Sequence, residues 1–263
     1  ARKVGDPALL HHVLCEMWGV GRLPRARAAL EEALGLVRRL GDRREEVGTL
    51  AKLADVLARQ GDFPMAVDVA CEGMALAKQV GSPAYGAWNQ RALGQALGGL
   101  GQTEEGTIHL QEAAHTYETL AWRAMLAGTL LRLGLVLQLS GENARAAAVL
   151  ERVLTVSRET HELYESVFAL AVLGELRLID GEPEAAAQSF QEVASLAPQV
   201  GLPWHRAGTL LHVAAGRLLL GQAEAALADL DVVIRLAEAE DLRKVLVQGR
   251  RLRDEATDQI SRK

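Results

Sequence analysis

The stretch LGELRLIDGEPEAAAQSF, residues 173–190, decides the fold because the chain returns to it at a fixed interval. Forty residues upstream, residues 133–150 read LGLVLQLSGENARAAAVL, and residues 93–110 read LGQALGGLGQTEEGTIHL. The internal glycine recurs as Gly21, Gly61, Gly101, Gly141, Gly181 and Gly221. Self-similarity at such a period marks a solenoid, in which each unit is one supersecondary element that buries its apolar face only against its neighbours.

Alignment on the glycine brings out further columns. Before it, an apolar column reads Val13, Leu53, Leu93, Leu133, Leu173 and Val213, and three residues earlier stand Leu10, Leu50, Gln90, Leu130, Leu170 and Leu210. The residue after the apolar column is Leu14, Ala54, Gly94, Gly134, Gly174 or Ala214, small in five units of six, where a partner helix can approach closely. After the glycine come Ala26, Ala66, Gly106, Ala146, Ala186 and Ala226, then Leu30, Ala70, Leu110, Leu150, Phe190 and Leu230 four residues later. Spacings of three and four are one stripe of a helix. A helix of about 16 residues fits each half of the unit. Turns such as Gly61-Asp62-Phe63-Pro64 and Gly181-Glu182-Pro183-Glu184 carry the stop and start signals: Gly ends one helix, an acidic residue and Pro begin the next. Gly41, Gly81 and Gly201 close the second helix, whereas Ala121, His161 and Asp241 replace them elsewhere, and those joints are expected to end less sharply.

These residues resemble the tetratricopeptide repeat. Its pattern is the Leu-Gly pair (Leu93-Gly94, Leu133-Gly134, Leu173-Gly174), the turn glycine seven residues on, the alanine five beyond and the large apolar residue four further. The period is forty rather than the usual thirty-four, and Leu and Ala stand where the repeat usually has aromatics. This variety resembles the repeat arrays of bacterial multidomain ATPase and transcriptional regulators, with Ala28-Ala29-Leu30-Glu31-Glu32-Ala33-Leu34 carrying that flavour. The resemblance implies an all-α, right-handed superhelical solenoid of six antiparallel helix pairs plus a C-terminal capping helix. It forms one domain over 1–263, with units at about 2–40, 41–80, 81–120, 121–160, 161–200 and 201–240 and the cap at 241–263. In the cap, Leu242, Val245, Leu246, Gly249, Leu252 and Ala256 recur at helical spacing, while Arg243, Lys244, Arg250, Arg251 and Arg253 occupy the other faces.

Composition agrees with helices and narrows the function. Hydrophobic residues are 49% of the 263 but aromatics only 4%, so the core is Ala, Leu and Val. A formal net charge of −5 argues against direct nucleic-acid binding. No run of some 18 apolar residues offers a membrane span. Cys15 and Cys71 are far apart, which speaks against a disulfide scaffold and for the cytoplasm. The chain opens Ala-Arg-Lys and reads as a piece of a longer polypeptide.

In stacked helix pairs the first helices line a groove. The candidate partner-binding residues there are Asp55, Arg59, Trp88, Arg91 and Gln95 in a polar half, then Leu131, Leu135, Gln138, Phe168, Glu175, Leu178, Leu211 and Leu218 in an apolar half. An apolar groove points to a peptide or helix partner; the competing reading is that the array is tightly wound and these residues pack on neighbouring helices. Trp88, Arg91 and Gln95 share a helical face and suit a carboxylate or planar group. Trp122 and Trp204, near helix starts, are expected to pack at unit joints. His11 and Cys15, four apart, are too few ligands for a structural zinc site, so no metal or cofactor is expected. Gly98-Gly99-Leu100-Gly101 lacks the Lys-Ser/Thr of a phosphate loop, and no nucleophile elbow occurs. The expectation is a non-catalytic scaffold for a protein or peptide segment, the sensor or assembly arm of a larger signalling or transcription regulator. The alternatives are a sensor of a small-molecule effector and a homodimerising spacer.

Overall fold

In the computed structural model, residues 7–20 and 23–262 are described, without the side chains of 17–20; Gly21 and the side chain of Trp18 lie outside that set. Thirteen α-helices follow one another among the described residues: α1 Pro7–Val20, α2 Leu23–Leu40, α3 Arg43–Gln60, α4 Phe63–Val80, α5 Pro83–Gly99, α6 Thr103–Thr119, α7 Arg123–Leu139, α8 Asn143–Thr160, α9 Leu163–Ile179, α10 Pro183–Leu196, α11 Pro203–Leu219, α12 Ala223–Glu240 and α13 Arg243–Ser261. A 3-10 turn, Ala197–Gln199, follows α10. None of these helices is long and apolar enough to cross a membrane.

The helices fall into two compact units, residues 1–140 and 141–263. In the first, each odd helix packs on the even helix after it, and each even helix packs on the next odd one. The odd helices also touch each other, α1 on α3, α3 on α5 and α5 on α7, forming a layer. In the second unit α9 packs on α8, α10 and α11, and α11 on α12 and α13. The last helix buries Gly249 and Ala256, with Val245, Leu252 and Ile260 packed against the core of α11 and α12, and leaves its arginines outside.

Burial follows the sequence columns. Leu53, Leu93, Leu133, Leu173 and Val213 are all at most 5% exposed. Val13 departs from its column at 45% exposure: α1 buries His11, Leu14 and Cys15 instead, one position away from the expected stripe. The small column lets the next helix approach closely, as at Gly174, where an added Cβ would come within 2.9 Å of the Phe190 ring.

The helix ends correct one expectation. Ala121, His161 and Asp241 adopt the left-handed conformation (φ 55°, 58° and 55°), as Gly41 and Gly81 do. Those joints end as sharply as the glycine ones, since packing of the next helix compels the turn at a conformational cost. The joint with less regular geometry is at Gly201, where Pro198 stops α10 at Leu196 and the chain passes through the 3-10 turn.

Candidate functional site

In the first unit a charge centre joins three helices of the odd layer. Asp55 of α3 is fully buried. Its Oδ2 accepts from Arg59 Nε at 2.8 Å, and its Oδ1 lies 3.3 Å from Arg91 Nη2 of α5 and 3.5 Å from Arg132 Nη2 of α7. Burial alone would raise the pKa of Asp55; the guanidiniums of Arg59, Arg91 and Arg132 outweigh it and hold the carboxyl well below the usual carboxylate range. Arg132 is fixed further by Nε donating to Gln95 Oε1 and Nη1 to the Gly128 carbonyl, both at 2.7 Å. Arg91 lies over the Trp88 ring, 5.6 Å from its centroid, and Trp88 stacks on Tyr85. Beside them Tyr117 is fully buried, and burial pushes its phenol up to about 12. The face that Trp88, Arg91 and Gln95 share is thus engaged from within: Arg91 covers the tryptophan and Gln95 holds Arg132.

The second unit carries a ladder between α9 and α11. Tyr164 stacks flat on His205 with centroids 3.5 Å apart; Phe168 meets His212 edge-on at 4.8 Å; Glu175 Oε1 lies 2.5 Å from His212 Nδ1. Ile179, one helical turn beyond Glu175, and Leu219, two turns beyond His212, occupy equivalent repeat positions and are 63% and 66% exposed. Trp204, 7% exposed, packs at the start of α11 and meets His205 edge-on, whereas Trp122 stacks on Tyr117 yet stays 46% exposed.

Of the residues read as groove candidates, Asp55, Arg91, Leu131, Phe168, Leu211 and Leu218 are buried. Arg59, Trp88, Gln95, Leu135, Gln138, Glu175 and Leu178 are half-buried. The structure brings Asp55, Arg59, Arg91 and Gln95 into one network with Arg132, which the sequence reading did not select, and brings Phe168 and Glu175 together through His212, likewise not selected. Both missed residues lie four positions after a groove column, at Gly128 and Gly208, so the i, i+4 continuation of that column was the available signal.

At the edge of the first unit His11, Cys15 and Thr49 make a small buried cluster, with His11 Nε2 2.9 Å from Thr49 Oγ1 and 3.4 Å from Cys15 Sγ. Burial raises the thiol and lowers the imidazole, so both are neutral near pH 7.

No protein-family model matches the chain. Among solved structures, NprR in complex with its cognate peptide NprX superposes with a TM-score of 0.72 at 13% identity, over 94% of this chain and 72% of that one. A kinesin light chain from Podospora anserina with nearly identical TPR-like repeats gives 0.54 at 15%, over 73% and 94%. The chain has the tetratricopeptide-like fold. Aspartyl phosphate phosphatase F of Bacillus subtilis shares it too, with a TM-score of 0.63 at 12% identity, over 96% of this chain and 70% of that one. In sequence the chain is similar to the regulatory protein AfsR of Streptomyces griseus, 28% identical over 178 residues, which is 68% of this chain and 17% of AfsR. The tetratricopeptide-like chain therefore spans a small part of that relative's length.

Proposed function

We propose that this tetratricopeptide-like chain is a non-catalytic binding module that seats a peptide or helical segment on α9 and α11 of its second unit and acts as the sensor or assembly arm of a larger cytoplasmic regulator. The observation that carries the reading is the exposed pair Ile179 and Leu219, two aliphatic side chains at one repeat position on adjacent helices, beside the polar Glu175–His212 pair. Aliphatic anchors next to a few placed polar groups are how helical arrays hold extended or helical ligands. The likeness to NprR with its bound peptide supports a peptide as ligand, and the similarity to AfsR supports a regulator as the parent chain.

The half-buried Leu178 belongs to the same proposed surface of the second unit; in the first unit, Trp88, Gln95, Leu135 and Gln138 are the half-buried candidates on α5 and α7. Leu131 is 1% exposed, so charging it would test folding before binding. The test uses Ile179→Glu with Leu219→Glu, which leaves the core alone. A displayed library of random short peptides is panned on the chain, and the selected peptide is titrated calorimetrically. The expected result is saturable binding that weakens at least about tenfold in the double variant, equivalent to 1.4 kcal/mol. Failure to select any peptide, or equal affinity for both proteins, would overturn the reading.

A further inference from the structure

The columns that build the Asp55 centre return in the second unit with different chemistry. Glu175 follows Asp55 by three repeat periods, and His212 follows Arg132 by two. In both units a carboxylate on one odd helix meets a cation from another odd helix. In the first unit the cation is a guanidinium, charged at every accessible pH. In the second it is an imidazole, whose charge comes and goes near neutrality.

We propose that the Glu175–His212 pair is a proton-operated latch on the α9–α11 joint, closed when the imidazole is charged and loosened when it is neutral. The geometry permits little else. His212 Nδ1 is 2.5 Å from Glu175 Oε1, the two side chains are 21% and 18% exposed, and the Phe168 ring meets the imidazole edge-on, fixing its orientation. Burial by itself lowers the pKa of His212, but Glu175 outweighs it and holds the imidazole above its ordinary value. Among the described residues Glu175 is the charge that acts on His212. Of the other ionisable groups on the two helices, Arg177 turns to Ser189 and Glu151, Arg217 turns to Asp229, Tyr164 and His205 stack on each other, and Glu165 and Arg206 lie in the first turns of α9 and α11.

A folded-state pKa above the unfolded value makes the sign definite. The latch contributes fully below about pH 6.5, the unfolded value, and is lost as the pH rises through the folded one. Because the pair lies between Phe168 and the exposed Ile179 and Leu219, its consequence for ligand binding rests on the proposed function; the latch itself does not.

The test therefore needs no ligand. The histidines of the whole chain are titrated by NMR, and thermal melts of the wild type, His212→Gln and a His205→Gln control are recorded at about pH 6 and about pH 8.5, either side of the ordinary imidazole value. The His212 resonance is expected to titrate above the ordinary value. The wild type should exceed His212→Gln by about 2–4 °C at the lower pH, a margin that shrinks at the higher, while the control shows no such change. If His212→Gln does not fold, Glu175→Gln replaces it, and the His212 titration should then move downward. A His212 titration at or below the ordinary value, an equal margin at both pH values, or a titration unmoved by Glu175→Gln would overturn the proposal.

Discussion

Gly94 of α5 and Gly106 of α6 face each other backbone to backbone: a Cβ on either would sit 2.7 Å from the other's carbonyl oxygen. Around Gly106 the nearest atoms are all main chain, while the Leu110 side chain also closes on Gly94, 2.7 Å from where its Cβ would be. Gly98 continues the contact, its backbone nitrogen 3.0 Å from where a Gly106 Cβ would be. The obstacle to a methyl group here is main chain, which cannot rotate away. Gly106→Ala, although it installs the residue that the five other repeats carry at this position, is expected to destabilise the chain by about 1–3 kcal/mol through overpacking. Urea unfolding of the variant against the wild type checks it, and an unchanged midpoint would refute the close-contact account.

Phe190 makes the complementary case. Its ring fills the space left by two glycines, Gly174 on α9 and Gly216 on α11, and is 2% exposed. Leucine stands at this position in most other repeats, yet Phe190→Leu is expected to cost about 1–3 kcal/mol because the glycines leave the smaller side chain a void. Gly216→Ala should be costly alone, since its methyl would collide with the ring, and less costly with Phe190→Leu. A double-mutant cycle by denaturant unfolding reads the coupling directly; strict additivity would show that ring and glycine do not share the space.

The left-handed joints carry a gain. Ala121 adopts φ 55° at a position where Gly41 and Gly81 stand in other repeats. An alanine there bears the clash between Cβ and backbone that glycine lacks, on the order of 1 kcal/mol. Ala121→Gly should therefore raise the unfolding free energy by up to about 1 kcal/mol, less the entropy that glycine adds to the unfolded chain. A fall in thermal stability would place the cost of this turn elsewhere.

The forty-residue period, the helix pairs and the buried columns were legible because each position recurs in equivalent surroundings, so the columns average out local noise. What one sequence concealed was the pairing across helices. Asp55 reads as a groove residue on its own helix; only when α3, α5 and α7 stand side by side do Arg91 and Arg132, 36 and 77 residues away, converge on it. His212 was hidden for the same reason, since its meaning comes from Glu175 on the neighbouring helix. The sharp joint at Ala121 escaped notice because propensity forbids what tertiary packing imposes.

Asp55 sets the acid limit of the first unit. Its folded pKa lies below the unfolded value of about 3.9, so its contribution is complete above roughly pH 4 and disappears as the pH falls toward the folded value. Asp55→Asn is nearly isosteric but removes the charge facing Arg59, Arg91 and Arg132, leaving buried guanidiniums without it. The expected loss at neutral pH is about 3–5 kcal/mol, as for other broken buried pairs. The difference between variant and wild type should stay level from pH 7 down to about pH 5 and narrow below about pH 4, where the wild-type carboxylate itself begins to protonate. Denaturant unfolding across that range decides the matter: a gap that persists unchanged at the lowest pH would mean that Asp55 acts through its shape and hydrogen bonds rather than through its charge.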